Sequence, residues 1–205
     1  MRYAQSFPAL KTERLMLRAV NSGDGGFYHR LLSIAAVTLY SDLPDAPSRA
    51  QSNRILNWMA KRFGGGKGCA WIIEERKGGA PVGAIRINRV DRAWRWGEIG
   101  YESHPDFWSR GLMTEAVRAV VACAHSEFKL HRVEAWTLPG NGASDRVLAK
   151  AGFLHEGTLK DRAWFKGAYH DFRMFGRVAD DPLDQGDQAE NSSFPATRFR
   201  IRVRG

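Results

Sequence analysis

The segment best equipped for chemistry is Trp108-Ser109-Arg110-Gly111-Leu112-Met113-Thr114-Glu115-Ala116. A short loop holding an arginine and a glycine runs directly into a helix-forming stretch, just after a strand-like run. The first amides of a helix have no intrahelical acceptor and converge on one spot, which the macrodipole makes electropositive. Gly111 permits close backbone approach. Such a start suits a pyrophosphate, with Arg110 as the side chain to meet a phosphate. Many helices start this way without a ligand, and Arg110 is then a solvated loop residue.

The pattern of the chain predicts what must hold this loop. Leu112, Ala116, Val117, Val120, Val121, Ala124 and Phe128 fall at helical spacing, so 112–128 is an amphipathic helix with one buried face. Before it, the runs 69–75, 81–90 and 95–103 read as an antiparallel meander, the first two joined by a Gly-containing link. After it come a strand at 131–138, a short helix from Asn141 to about Ala151 ended by Gly152, and strands at 152–160 and 169–178. Near the start, 12–20 reads as a strand, 27–37 as a helix, and Ser48 caps a helix to about Phe63. This order implies a mixed α/β sheet.

The loop is one of several blocks that together resemble the GCN5-related N-acetyltransferase (GNAT) superfamily. More narrowly, they resemble the RimJ/RimL-like branch that acetylates ribosomal-protein N-termini. The blocks are Thr12-Glu13-Arg14-Leu15-x-Leu17-Arg18, Glu98-Ile99-Gly100-Tyr101, Trp108-x-Arg110-Gly111-x-Met113-Thr114-Glu115-Ala116, and His131-Arg132-Val133-Glu134-Ala135. Asn141-x-x-Ser144, Gly152-Phe153, Glu156-Gly157 and Gly167-x-Tyr169-x-Asp171 complete the series, over about residues 10–178. The resemblance implies a mostly antiparallel sheet flanked by about four helices, splayed between the strands at 95–103 and 131–138. Acetyl-CoA would lie in that splay. Its pantetheine would pair with backbone near Tyr101–Ser103, and its pyrophosphate would rest on the amides of Ser109, Arg110, Gly111, Leu112, Met113 and Thr114. Asn141, with Ser144 as a second candidate, would contact the pantetheine or the thiol end.

The implied reaction is direct attack of a primary amine on the thioester in a ternary complex. A lysine amine is only about 0.04% neutral at pH 7, an α-amine roughly 14%, so an N-terminal acceptor needs less help from a base. Glu98 is the expected general base, directly or through water; its structural alternative is an exposed or ion-paired carboxylate on a strand rich in Arg92 and Arg95. Ser144 is the expected thiol-side acid or orienter, its alternative a helix-capping role. Tyr169 and Asp171 are expected to shape the acceptor pocket, unless they only pack and cap strand ends. The chain departs from the pattern at Trp108, in a Gln/Arg slot, and at Met113, in a small-residue slot. Leu148 stands where many relatives carry a tyrosine acid. Ala163 stands where the ribosomal-protein enzymes carry a glutamate, with His155, Glu156 and Asp161 as nearby substitutes.

Composition bounds the rest. The 205 residues are 43% hydrophobic and 26% charged, the balance of a soluble globular protein. A chain this long buries roughly 70% of its unfolded surface, so it needs no metal or disulfide staple. Cys69 and Cys123 have no ligand-like spacing, and neither a leader nor a membrane span is expected, which together suit a reducing cytoplasm. The net charge of +9 suits a polyanion such as RNA, the ribosome or a polyphosphate cofactor. It belongs to an expected domain at 1–179, because the 180–205 tail carries five acids and four arginines. The alternating tail end, ATRFRIRVRG, suits an edge strand on the body or on a second subunit, so the chain is a monomer or a homodimer. Two other readings stay open: acetylation of a small amine such as an aminoglycoside, polyamine or amino acid, and a non-catalytic module binding RNA or protein. Trp94 and Trp96 beside Arg92 and Arg95 resemble a stacking patch for the latter.

Overall fold

Apolar alternation along the chain builds a sheet of eight strands in a computed structural model that describes residues 6–181. The strands are β1 (Leu10–Lys11), β2 (Leu15–Ala19), β3 (Cys69–Glu75), β4 (Pro81–Asp91), β5 (Trp96–Ser103), β6 (Arg132–Thr137), β7 (Leu154–Phe165) and β8 (Ala168–Val178). They lie in the order β1-β2-β3-β4-β5-β6-β8-β7. Every neighbouring pair is antiparallel except β5 and β6, which are parallel. The helices are α1 (Gly25–Leu32), α2 (Ala35–Thr38), α3 (Arg49–Lys61), α4 (Leu112–Ser126) and α5 (Gly142–Lys150).

Helices cover both faces, which is why β3 is an almost unbroken apolar run. On one face Leu17, Trp71, Ile85 and Ile99 pack beneath Ala116, Val117 and Val120 of α4. On the other, Ala70, Ile72 and Ala84 meet Tyr28, Leu31 and Leu32 of α1, with Leu56 and Met59 of α3. Ser48 caps α3 through a reciprocal box with Gln51. Cys69 and Cys123 are free and buried, and burial pushes the Cys123 thiol up to about 12.

The structure adjusts several expectations. The helix at 27–37 is broken in two, because Ile34 takes an extended conformation (ψ 110°). Five α-helices are therefore described rather than about four. β7 continues past residue 160 to Phe165, through an irregularity where Asp161 has φ 47°. The alternating strand expected near the C-terminus lies outside the described residues. Among the described residues, no helix is long and apolar enough to cross a membrane.

Candidate active site

The site begins where the sheet opens. β5 and β6 pair only at Trp96↔Arg132, Gly97↔Val133 and Glu98↔Glu134. β5 then runs on to Ser103 with β4, and β6 runs on to Thr137 with β8. A cavity of about 70 Å³ occupies the gap and draws its lining from both sides of the sheet. Tyr101, Asn141 and Ser144 line it on the α4–α5 side, and Arg86, Asn88 and Asp42 on the α1–α3 side. The pleat explains this division. Ile99 and Tyr101 pack with the α4 cluster, whereas a Cβ at Gly100 would point at Asn88 and Arg86.

On the α4–α5 side, the loop after β5 makes a helix start of the expected kind. Gly111 is the N-cap of α4 at φ 74°, without a side chain to bond the first-turn amides. Those amides are left for a ligand. Trp108 donates its indole N–H to the Ser103 carbonyl (3.0 Å), so this side chain fastens the loop to the end of β5. Arg110 pairs with Glu75 (2.5 Å) and lies over Phe107. The pair is half exposed, a setting in which ion pairs contribute little and exchange partners readily. Met113 is half-buried against the core.

A clamp missed in the sequence reading holds this loop. Glu115 accepts hydrogen bonds from the Thr12 hydroxyl (2.6 Å), the Arg14 amide (2.9 Å) and Arg14 Nε (2.6 Å). Arg14 also donates to the Arg110 carbonyl (2.9 Å). Burial opposes ionisation of Glu115, but these donors outweigh it and hold the carboxyl below its ordinary value. The Thr12–Arg14 and Thr114–Glu115 blocks, about a hundred residues apart in sequence, are thus two halves of one contact. A cleft of about 580 Å³ borders Arg14, Gly111, Thr114 and Arg118 on the outer side of α4.

Asn141 caps α5 by accepting the Ser144 amide (3.2 Å). Capping therefore falls to Asn141, and the Ser144 hydroxyl has no part in it. The Tyr101 phenol reaches across the gap to the Ser144 carbonyl (3.3 Å). Burial pushes this phenol well above its ordinary value, so it stays a neutral donor. The sequence points only to a backbone role for Tyr101; the phenol's contact is a finding of the structure.

On the other face, Glu98 is partly buried beside Asn88, whose amide nitrogen donates to Glu98 Oε1 (3.4 Å). Burial pushes the Glu98 carboxyl up, against the smaller effects of Asn88 and Arg89. Asn88, rather than Glu98, forms the cavity wall. The Asn88 oxygen is buried and has no hydrogen-bond partner. Beneath it lies a buried group in which Arg86 and the Tyr28 hydroxyl (2.8 Å) both donate to Glu102. The one sequence signal for this group was an arginine inside the apolar run of β4.

Tyr169 and Asp171 are not brought to this cavity. Tyr169 stands at the tip of the β7–β8 hairpin, 64% exposed, against Trp164. Asp171 accepts the Asp161 amide (2.8 Å) and braces the irregularity in β7. Ala163 is opposite His170 in the same hairpin. The hairpin reaches the segment after α1 through Lys166, which bonds the Thr38 carbonyl (2.6 Å) and Asp45 (2.6 Å). Among the described residues no cluster of three or more His, Cys, Asp or Glu could hold a metal.

A sheet parted between parallel neighbours, followed by an uncapped helix start, suits an extended ligand with an anionic group, and the family match says which class of enzyme this is. Residues 14–154 match the acetyltransferase (GNAT) domain family, and the chain belongs to that family. It is 31% identical over 172 residues to the Uncharacterized N-acetyltransferase YoaA of Bacillus subtilis, covering 84% of this chain and 97% of that one. It is 27% identical over 176 residues to the [Ribosomal protein uS5]-alanine N-acetyltransferase of Escherichia coli, covering 79% and 86%. The spermidine N-acetyltransferase of Vibrio cholerae, solved with CoA and spermine, shares the fold at TM-score 0.72 and 18% identity, over 83% and 98% of the two chains. The chain is an N-acetyltransferase, and acetyl-CoA is the donor that its family uses. The residues present fit that donor: glycine at a left-handed helix cap, free first-turn amides, and a strand edge left unpaired beside a cavity.

Proposed function

We propose that the chain acetylates the α-amine of a protein N-terminus by direct attack in a ternary complex. The observation that carries this reading is the cavity that crosses the sheet, with helix starts on one face and Asn88 and Glu98 on the other. Two ligands entering from opposite faces would meet there without a covalent enzyme intermediate.

In this reading the amides from Ser109 to Thr114 hold the pyrophosphate, and Arg110 leaves Glu75 to join it. The backbone at Tyr101–Ser103 lies along the pantetheine, with the Ser103 carbonyl already given to Trp108. Asn141 holds the start of α5 in place, and Ser144 donates a proton to the departing thiolate. Acetyl-CoA supplies an activated acetyl thioester. Glu98, with its carboxyl pushed up by burial, takes the proton of the amine through a water beside Asn88. Tyr169 and Asp171 act at a distance, by shaping the hairpin that Lys166 ties over the acceptor side. The first 179 residues form the catalytic domain.

An α-amine acceptor suits a site with one partly buried carboxyl, since about one such amine in seven is already neutral at pH 7. The relative that acetylates an alanine of ribosomal protein uS5 supports the same acceptor class. The spermidine enzyme, at 18% identity, shares the fold alone and does not bear on the acceptor.

The test is mass spectrometry of peptides offered with acetyl-CoA. One set has a free N-terminus and no lysine. A second has a blocked N-terminus and a lysine, and spermidine is the third acceptor. Acetylation confined to the first set is expected. Acetylation of spermidine or lysine alone would overturn the acceptor assignment. Calorimetry of acetyl-CoA binding to wild type and Gly111→Glu tests the cradle separately, with binding lost in the variant.

A further inference from the structure

The end of the sheet opposite the cofactor loop carries five cations that form no ion pair among the described residues. The turn between β4 and β5 projects there, and it is fastened to two neighbouring loops. Arg92 donates to the Gly66 carbonyl (3.0 Å), and Arg95 Nε to the Lys129 carbonyl (3.0 Å). These contacts gather Lys61, Lys67, Arg89, Arg95 and Lys129, all exposed, at one end. By contrast, Arg14, Arg18, Arg86, Arg110 and Arg132 each meet a carboxylate. None of the five gathered cations forms an ion pair among the described residues. Asp91, the acid within the tip, is engaged by the Trp94 amide (2.8 Å); Glu127 is also nearby, and Glu98 stands opposite Arg89 in the pairing of β4 and β5 without forming an ion pair with it.

In the same turn stands Trp94, 82% exposed, the most exposed large hydrophobic side chain among the described residues. An indole held out by a short turn, flanked by guanidinium and ammonium groups, has both features of a surface for unpaired bases. It offers a face on which a base can stack and cations that track the backbone phosphates. An acidic peptide would use the cations and leave the indole idle. An anionic membrane would call for several apolar anchors, and the tip offers one.

We propose that the β4–β5 tip is a docking site for single-stranded nucleic acid, with Trp94 as the stacking platform and Lys61, Lys67, Arg89, Arg95 and Lys129 as phosphate contacts. β5 runs from this tip to the cofactor loop, about 23 Å for its eight residues. A strand bound at the tip therefore leaves the cavity open, and docking and acetyl transfer proceed together.

The test is fluorescence anisotropy of labelled oligouridine and oligothymidine with the full chain. Polyglutamate and phosphatidylglycerol vesicles serve as competitors, and salt is varied. Both strands are expected to bind, more weakly as salt rises. Trp94→Ala should lose about tenfold or more in affinity and Trp94→Phe retain most of it. Lys61→Glu/Lys67→Glu should flatten the salt dependence. Each variant should bind acetyl-CoA as wild type does, which reports an intact fold. The proposal is overturned if wild type binds neither oligonucleotide at low salt. It also falls if Trp94→Ala matches wild type, or if polyglutamate or vesicles compete as well as unlabelled oligouridine.

Discussion

Ser144 offers the sharpest test at the scale of single residues. Asn141 does the capping of α5, so Ser144→Ala should leave the melting temperature unchanged. It should leave acetyl-CoA affinity unchanged as well, and lower kcat by about a hundredfold. Glu98 is tested by pH. Burial disfavours its charged form, so its folded pKa lies above the unfolded one. Its contribution to stability is then greatest at low pH and is lost as pH rises through the folded value. Glu98→Gln should therefore be at least as stable as wild type at pH 7. The same substitution should remove from the kcat/KM profile the acid-side inflection of this carboxyl, which in wild type lies above its ordinary value, and leave the inflection of the acceptor amine. Glu98 and Ser144 were legible in the sequence because each lies in a short block of family-like residues. Asn88 was not. Its importance comes from a buried oxygen left without a donor, at the point where the pairing of β4 and β5 shifts register between Ile87 and Arg89. Tyr101 was half legible: its position was read, but its phenol's reach to α5 depends on how far the strands part.

Among the elements, α4 and its loop carry the argument. The helix was readable from its apolar stripe and from Gly111, and the structure starts it at Leu112 as expected. The clamp behind it was hidden, because Thr12 and Arg14 reach Glu115 across about a hundred residues of sequence. Glu115→Ala removes three donor contacts from one carboxylate and should cost about 2 kcal/mol, or about 5 °C in melting temperature. Acetyl-CoA affinity should fall with it, because Arg14 also holds the Arg110 carbonyl. The folded pKa of Glu115 is depressed, so this stabilisation is present above the ordinary carboxyl value. It is lost as pH falls through the depressed one. Acid titration of wild type and variant by circular dichroism should show the difference closing at low pH. The hairpin of β7 and β8 was the least legible element. Its alternation is broken at Asp161, where one backbone amide turns to Asp171 instead of the ladder.

For the molecule as a whole, two apolar layers meet through one sheet, and Tyr28, Glu102 and Arg86 join α1 to it through buried polar contacts. Removing one charge strands the other. Arg86→Met alone should therefore cost about 3–5 kcal/mol in denaturant unfolding, and Arg86→Met/Glu102→Leu less than that. The covered strands and alternating residues made the mixed sheet legible from sequence; a buried ion pair shared by two strands and a helix was not. The same sheet is two plates, β1 to β5 and β6 to β8, sewn together by only three residue pairs. A seam so short is the natural place for the molecule to breathe. The amides of Ile99 to Ser103 that face the opening should exchange with solvent faster than those bonded to β4, and the donor, lying along that edge, should act as the missing stitches. Its binding should slow their exchange and raise the unfolding temperature in step with its concentration.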